Sequence, residues 1–384
     1  MKRIGLIDNL SPLAIGQPAR AVTAAQVMAM TGGNTGNLAY VGGVRGLLGN
    51  PIERLQWGED PDSVRARFDQ VVICCANQIG AHVDLSGWAD NLSRWQLPVT
   101  LLGLGAQSEN FSVMPKVPSG TKRFLGRVKE LAPSTHPNTA TRGDFTARVL
   151  ADLGHEATPI CCPSLFLSPE MGLGKRVLAG QRQQAFERVA VAAGNPWHGP
   201  SSRLEPALVD VVEQYQGRYI LQHPLGMLQI ALGERENVSA ALMSRFIEVY
   251  GRRFDIDSLF DWYGQHAQYF LDLAAWCEAL SAYDGVIGPR YHGIALGVQS
   301  GIPGCVIAID SRTEEMCISS ALKHVKSKAL TDPTASDLVE TIRWSADDAS
   351  RFDSNRQAKA AQFMAFLTHN ELAPSAALTA MTRG

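Results

Sequence analysis

Short apolar runs alternate with segments of helical spacing along almost the whole chain, and this alternation restricts the fold more than any other feature. In the first half, Ile4–Ile7, Val71–Cys75, Val99–Leu104 and Thr139–Thr141 read as strands. Between them Ala39–Leu48, Gly87–Trp95 and Lys122–Leu131 carry helical periodicity, and Asp144–Leu153 is a helix stopped by Gly154. Strands separated by helices build parallel sheets covered on both faces. The pattern restarts at strand Arg188–Ala193. A helix over "SSRLEPALVDVVEQYQG" follows, with Ser202 and Glu205 spaced as a capping box. Strand Tyr219–Gln222 and helices near Ala240–Tyr250 and Asp272–Ala282 come next.

A chain of 384 residues exceeds one ordinary core. The expected architecture is α/β, with two Rossmann-like doubly wound domains at 1–170 and 185–345. The glycine-bearing segment 167–184 is read as their linker. Residues 346–384 form a C-terminal helical segment with Phe363, Phe366 and Leu367 on one face.

Hydrophobic residues make up 45% and charged residues 19%, and 35 basic against 37 acidic side chains leave a net charge of −2. No basic surplus points to nucleic acid. No run of eighteen uncharged apolar residues offers a membrane span. The seven cysteines include two neighbouring pairs, Cys74-Cys75 and Cys161-Cys162, without CxxC or ligand spacing. They read as buried thiols of a reducing cytoplasm.

The stretch "YDGVIGPRYHGIALGVQSGIPGCVIAID" (283–310) concentrates the chemistry. Strand Val286–Gly288 turns into helix Gly293–Ser300, and Arg290 and His292 fall between them. In an open parallel sheet, ligands sit beyond the carboxyl ends of strands. Free N–H groups at the helix start favour an anion there, and arginine adds a charged planar fork. His292 can hold or release a proton near neutral pH. The next strand, Cys305–Ile309, ends in "DSRTEEM", which puts Arg312 at a second carboxyl end; in the first half Arg142 directly precedes a helix. The plainer reading pairs Arg142 with Asp144, which can cap that helix. Opposed across a cleft, Arg142, Arg290 and Arg312 would suit a small, multiply charged anion.

These residues resemble the polysaccharide pyruvyl transferase family. The similarity is most specific over residues 270–316, where a tryptophan-bearing helix leads to a strand ending near Arg-x-His-Gly, then a helix, Gly-x-Pro and a second strand. "GGNTGNLAY" (32–40), "LPVTLLGLGAQ" (97–107) and "TRGDFTARVLADLGHEATPICCPSLFL" (141–167) resemble further family motifs in the same order. The resemblance implies a GT-B-like fold with a cleft between two Rossmann-like halves. It also implies transfer of pyruvate from phosphoenolpyruvate onto sugar hydroxyls as a ketal. Arg142, Arg290 and His292 match its phosphoenolpyruvate-binding positions, and Arg312 falls where many members carry lysine. The chain departs from the family at "ICCANQIG" and at Cys162, which stands where an acidic residue is frequent.

Ketal formation requires a proton on the donor's methylene carbon, attack by two hydroxyls and loss of phosphate. His292 is the candidate acid, with Arg290 beside it as the second catalytic residue; Arg142, Arg290, His292 and Arg312 are expected to hold the donor. No metal or cofactor is required. The acceptor is expected against the first domain at Asn34, Gly36, Asn37, Gly105 and Gln107, and Trp197 with His198 offers a surface for a sugar ring. The glycines of "LGLGAQS" lack the third of the dinucleotide fingerprint, and no Gly-Lys-Ser/Thr completes a phosphate loop. The expected partners are phosphoenolpyruvate and a lipid-linked or nucleotide-linked sugar. The expected place is the cytoplasm, with any membrane contact peripheral at the inner face. The alternatives are a GT-B glycosyltransferase using a nucleotide sugar, or a non-catalytic glycan-binding partner.

Overall fold

The computed structural model describes residues 1–11, 22–182, 185–251 and 253–382. Six parallel strands form the first sheet: β1 (Ile4–Ile7), β2 (Ile52–Arg54), β3 (Gln70–Cys74), β4 (Val99–Leu104), β5 (Thr139–Thr141) and β6 (Thr158–Pro159), in the order β2-β1-β3-β4-β5-β6. Six more form the second: β7 (Val189–Ala192), β8 (Tyr219–Ile220), β9 (Ala267–Gln268), β10 (Gly285–Gly288), β11 (Gly304–Ala308) and β12 (His324–Lys326), in the order β12-β11-β10-β7-β8-β9. The second order is that of the dinucleotide-binding fold. The first order, 2-1-3-4-5-6, is doubly wound as well, and two doubly wound units facing a cleft, with a helical C-terminus, make a GT-B-like architecture.

Every residue of β1, β3, β4, β7, β10 and β11 is buried. That explains why their sequences are apolar runs without alternation: helices cover both faces. Strands β2, β6, β9 and β12 were not expected. They are edge or near-edge strands of two or three residues, and none of them is fully buried.

The strand order reverses between β1 and β3 in one sheet and between β7 and β10 in the other, which opens a crevice at each carboxyl edge. The two edges meet at the cleft. Thr35 in the loop before helix Asn37–Leu47 donates its amide to Gln222 O (3.2 Å) and its hydroxyl to Leu221 O (3.2 Å), just past β8. Ser311 Oγ donates to Ser108 O at 2.7 Å.

The segment read as a linker carries an eight-residue helix, Leu173–Gly180; residues 183 and 184 lie outside the described residues. Leu173 and Val177 are buried, and Asp353 of the long helix Ala346–His369 accepts from Gly174 N at 2.6 Å. Phe363, Phe366 and Leu367 are buried as the sequence indicated. The chain then crosses back to the first lobe. Gly49 N donates to Ala373 O at 2.7 Å and Ser375 N to Leu47 O at 2.9 Å. Buried Arg356 ties this helix to the carbonyls of Leu165, Ser168 and Glu170.

The capping box read at Ser202 and Glu205 does not form. Glu205 begins helix Glu205–Gln214 but turns its carboxylate into the protein, and Ser202 Oγ donates to Gly199 O.

Candidate active site

Gly288, at the end of β10, has φ 148° and lies against the backbone of Ala192, so a side chain there would collide with β7. This close approach sets Arg290 as the N-cap of helix Tyr291–Gln299, which has no side-chain cap. Among the described residues, no side chain caps its first N–H groups.

Arg290 Nη2 donates to Gly194 O (3.1 Å) and His223 O (2.9 Å), while its Nε is buried without a partner among the described residues. Burial first, then the neighbouring Arg312, lowers the Arg290 pKa to about 10, against the opposing pull of Glu205 and Asp310. Glu205 is wholly buried, accepts from Tyr219 Oη and lies 3.4 Å from Ser201 Oγ; its pKa is pushed up to about 7 by burial. Tyr219, Tyr250 and Tyr263 continue the buried network. Sequence reading missed Glu205 because a glutamate opening a helix reads as a cap.

His292 Nε2 lies 3.5 Å from Cys162 Sγ, and Ser164 Oγ sits 3.2 Å from the same sulfur. The ring packs 6.0 Å from Tyr40. Burial, then Arg142 and Arg312, holds the His292 pKa well below the ordinary histidine value, so the imidazole is neutral at pH 7. His223, under burial and Arg290, is lowered to about 4.

Arg142 is only 1% exposed. Its Nε donates to Gly103 O (2.8 Å), Nη2 to Cys75 O (3.3 Å), and Nη1 reaches Met316 Sδ of the second lobe at 3.4 Å. Its guanidinium also lies over the Tyr40 ring, 5.4 Å from the centroid. Arg142 thus stands beside Tyr40 and adds its charge to the surroundings of His292. The alternative reading, an Arg142–Asp144 pair, does not form. Gly143, not Asp144, occupies the N-cap, and the helix start is capped across the cleft by Glu315, which accepts from the Thr146 amide.

Arg312 is 23% exposed on its side chain, with Asp310 Oδ2 3.6 Å away. Burial opposes ionisation of Asp310, but Arg312 and the Thr313 amide outweigh it and lower its pKa. Arg142, Arg290, Arg312 and His292 are thus brought together: Arg312 acts electrostatically on both Arg290 and His292, and Arg142 acts on His292.

The expected acceptor residues divide. A Cβ on Gly36 would lie 2.5 Å from Gln222 Oε1, 3.0 Å from Asn34 Oδ1 and 3.2 Å from His292 Nδ1, so Asn34 and Gly36 border the centre. Gly105 lies beside Arg142 Cδ, 3.1 Å from where its Cβ would be. Asn37 instead closes its own loop, donating to Thr31 O at 2.7 Å and Gly32 O at 3.2 Å. Gln107 is exposed and accepts from Asn77. Trp197 belongs to the second lobe, 44% exposed, with its ring edge-on to Phe246. Beside Asp310, a cavity of about 310 Å³ is bordered by Phe111, Ser311, Glu314 and Lys326.

A sequence model of a family described as polysaccharide pyruvyl transferase matches residues 47–311. No curated protein sequence matches. Among solved structures, the chain is similar to HepE of Anabaena in complex with UDP and glucose, at 13% identity and a TM-score of 0.45 over 97% of each chain. It is also similar to the glycotransferase of kitacinnamycin, at 12% identity and TM-score 0.39 over 96% of this chain and 98% of that one. A third similarity is to the glycosyltransferase SnogD from Streptomyces nogalater, at 11% identity and TM-score 0.31 over 88% and 80%.

Proposed function

The chain belongs to the polysaccharide pyruvyl transferase family, and on that premise we propose that it moves pyruvate from phosphoenolpyruvate to a sugar of a surface polysaccharide precursor, forming a pyruvate ketal. The observation that carries this reading is the convergence of three guanidinium groups and one imidazole at the cleft. Phosphoenolpyruvate carries a carboxylate and a phosphate on one carbon, and Arg290, Arg312 and the first N–H groups of helix Tyr291–Gln299 suit both.

In the resting site, burial first, and then the charges of Arg142 and Arg312, keep His292 neutral. An arriving trianionic or dianionic donor offsets those charges, so His292 gains a proton as the donor docks. The imidazolium then protonates the methylene carbon of the donor, leaving an oxocarbenium-like centre at the adjacent carbon. One sugar hydroxyl adds there and passes its proton to His292. Phosphate leaves with that proton, and the second hydroxyl closes the ketal, its proton passing through His292 to solvent and so returning the one taken up as the donor docked. A positioned acid of this kind contributes about 10²–10⁴-fold. Arg290 and Arg312 stabilise the departing phosphate. The cavity beside Asp310 offers space and hydroxyl-binding groups for the acceptor.

No helix among the described residues is long and apolar enough to cross a membrane. We place the protein in the cytoplasm, where a lipid-linked acceptor would be met by peripheral contact at the inner face, or a nucleotide-linked one in solution. Mass spectrometry of the host's surface glycan with and without the gene tests the function. A carboxyethylidene group lost with the gene is the expected result, and an unchanged glycan contradicts it.

A further inference from the structure

Gln222 follows β8 and is 2% exposed, yet its Nε2 is buried with no hydrogen-bond partner among the described residues. Leaving such a donor unpaired is costly, and native chains keep few of them. The main chain of Gln222 already has a task, since its carbonyl accepts from Thr35 N across the cleft. The side-chain Nε2 has none among the described residues.

Its amide spans the site. A Cβ on Gly293, in the first turn of helix Tyr291–Gln299, would lie 2.8 Å from Gln222 Nε2, and a Cβ on Gly36 would lie 2.5 Å from Gln222 Oε1. One end therefore abuts the uncapped helix start, and the other faces the gap shared with Asn34 Oδ1 and His292 Nδ1. Glycines at 36 and 293 leave room for this.

We propose that Gln222 is a ligand-binding residue of this site, donating from its side-chain amide to an anionic oxygen held at the start of helix Tyr291–Gln299. Unlike the arginines, it adds a donor without adding charge, so it fixes the anion's orientation without further depressing His292. This inference rests on the donor reading above for the identity of the anion, but the geometry requires only a carboxylate or phosphate.

Gln222→Met tests it, because methionine keeps the length and removes the amide. Calorimetric titration of the full chain with phosphoenolpyruvate, pyruvate and inorganic phosphate, alongside unliganded thermal unfolding, gives the readout. Expected is an unliganded Tm equal to or above the parent's, since no internal hydrogen bond is lost, with phosphoenolpyruvate bound about ten- to a hundredfold more weakly. Gln222→Asn, which withdraws the amide by one methylene, serves if the methionine variant does not fold, and is expected to weaken binding likewise. Phosphoenolpyruvate bound by variant and parent with equal affinity overturns the inference alone, whatever the Tm. A parent that binds pyruvate or phosphate but not phosphoenolpyruvate, with that binding weakened in the variant, upholds the anion site and overturns the donor reading. A parent that binds none of the three overturns both.

Discussion

Glu315 of the second lobe accepts from the amide of Thr146 at 2.7 Å and from its hydroxyl at 2.8 Å, capping a first-lobe helix across the cleft. Gly143 makes the approach possible, because a Cβ there would lie 2.5 Å from Glu315 Cγ. A cap that crosses between lobes couples helix stability to cleft closure. Glu315→Ala is expected to lower unfolding free energy by about 1–2 kcal/mol. Hydrogen exchange at the Thr146 amide should accelerate in step, and unchanged protection there would show that the contact does not hold the lobes.

Gly36 has φ −60° and ψ −15°, an ordinary helical conformation, so alanine carries no backbone penalty at this position. The added methyl would instead press on Gln222, Asn34 and His292. Gly36→Ala is therefore expected to leave thermal stability near the parent's while weakening donor binding at least tenfold. A variant equally active and equally stable would mean the gap is unused.

Glu205 titrates near 7 in the folded chain because burial raises it from 4.5. The folded state then holds a proton that the unfolded state has released between those values. Its stabilising contribution is complete below about pH 4.5 and is lost as pH rises through 7, a change on the order of 3 kcal/mol. Glu205→Gln stays neutral, so the stability difference between parent and variant should move in the variant's favour from pH 5 to pH 8. Urea unfolding across that range checks it; a constant difference contradicts it.

The central strands were legible because parallel sheets buried on both faces must be written as apolar runs, as in Val99–Leu104. Edge strands such as Ala267–Gln268 were not, since two half-buried residues leave no pattern. The corner that carries Arg290 and His292 was legible because an apolar run there gives way to a helical pattern within a few residues. The helix Leu173–Gly180 was missed among its glycines, although Leu173 and Val177 carry an i, i+4 spacing that could have revealed it. Gln222, Glu205 and Glu315 had no sequence signal. Each derives its meaning from a partner far along the chain, and Glu315 faces a helix 169 residues away.

The Cys162 thiol beside His292 Nε2 bears on the pH profile, because a thiol stands there where a carboxylate would hold the imidazole charged. Cys162→Asp would place a negative charge there and raise the His292 pKa. In phosphate release from phosphoenolpyruvate, the limb of kcat/KM governed by His292 should move to higher pH. An unmoved limb would remove His292 from proton transfer.

Calorimetric titration of phosphoenolpyruvate into the parent and into Arg312→Gln tests the donor site most directly, because Arg312 is partly exposed and its loss opens no core. One site per chain in the parent, and affinity at least about tenfold weaker in the variant, a difference of about 1.4 kcal/mol, is the result expected. No binding by the parent, or equal binding by both, would contradict it.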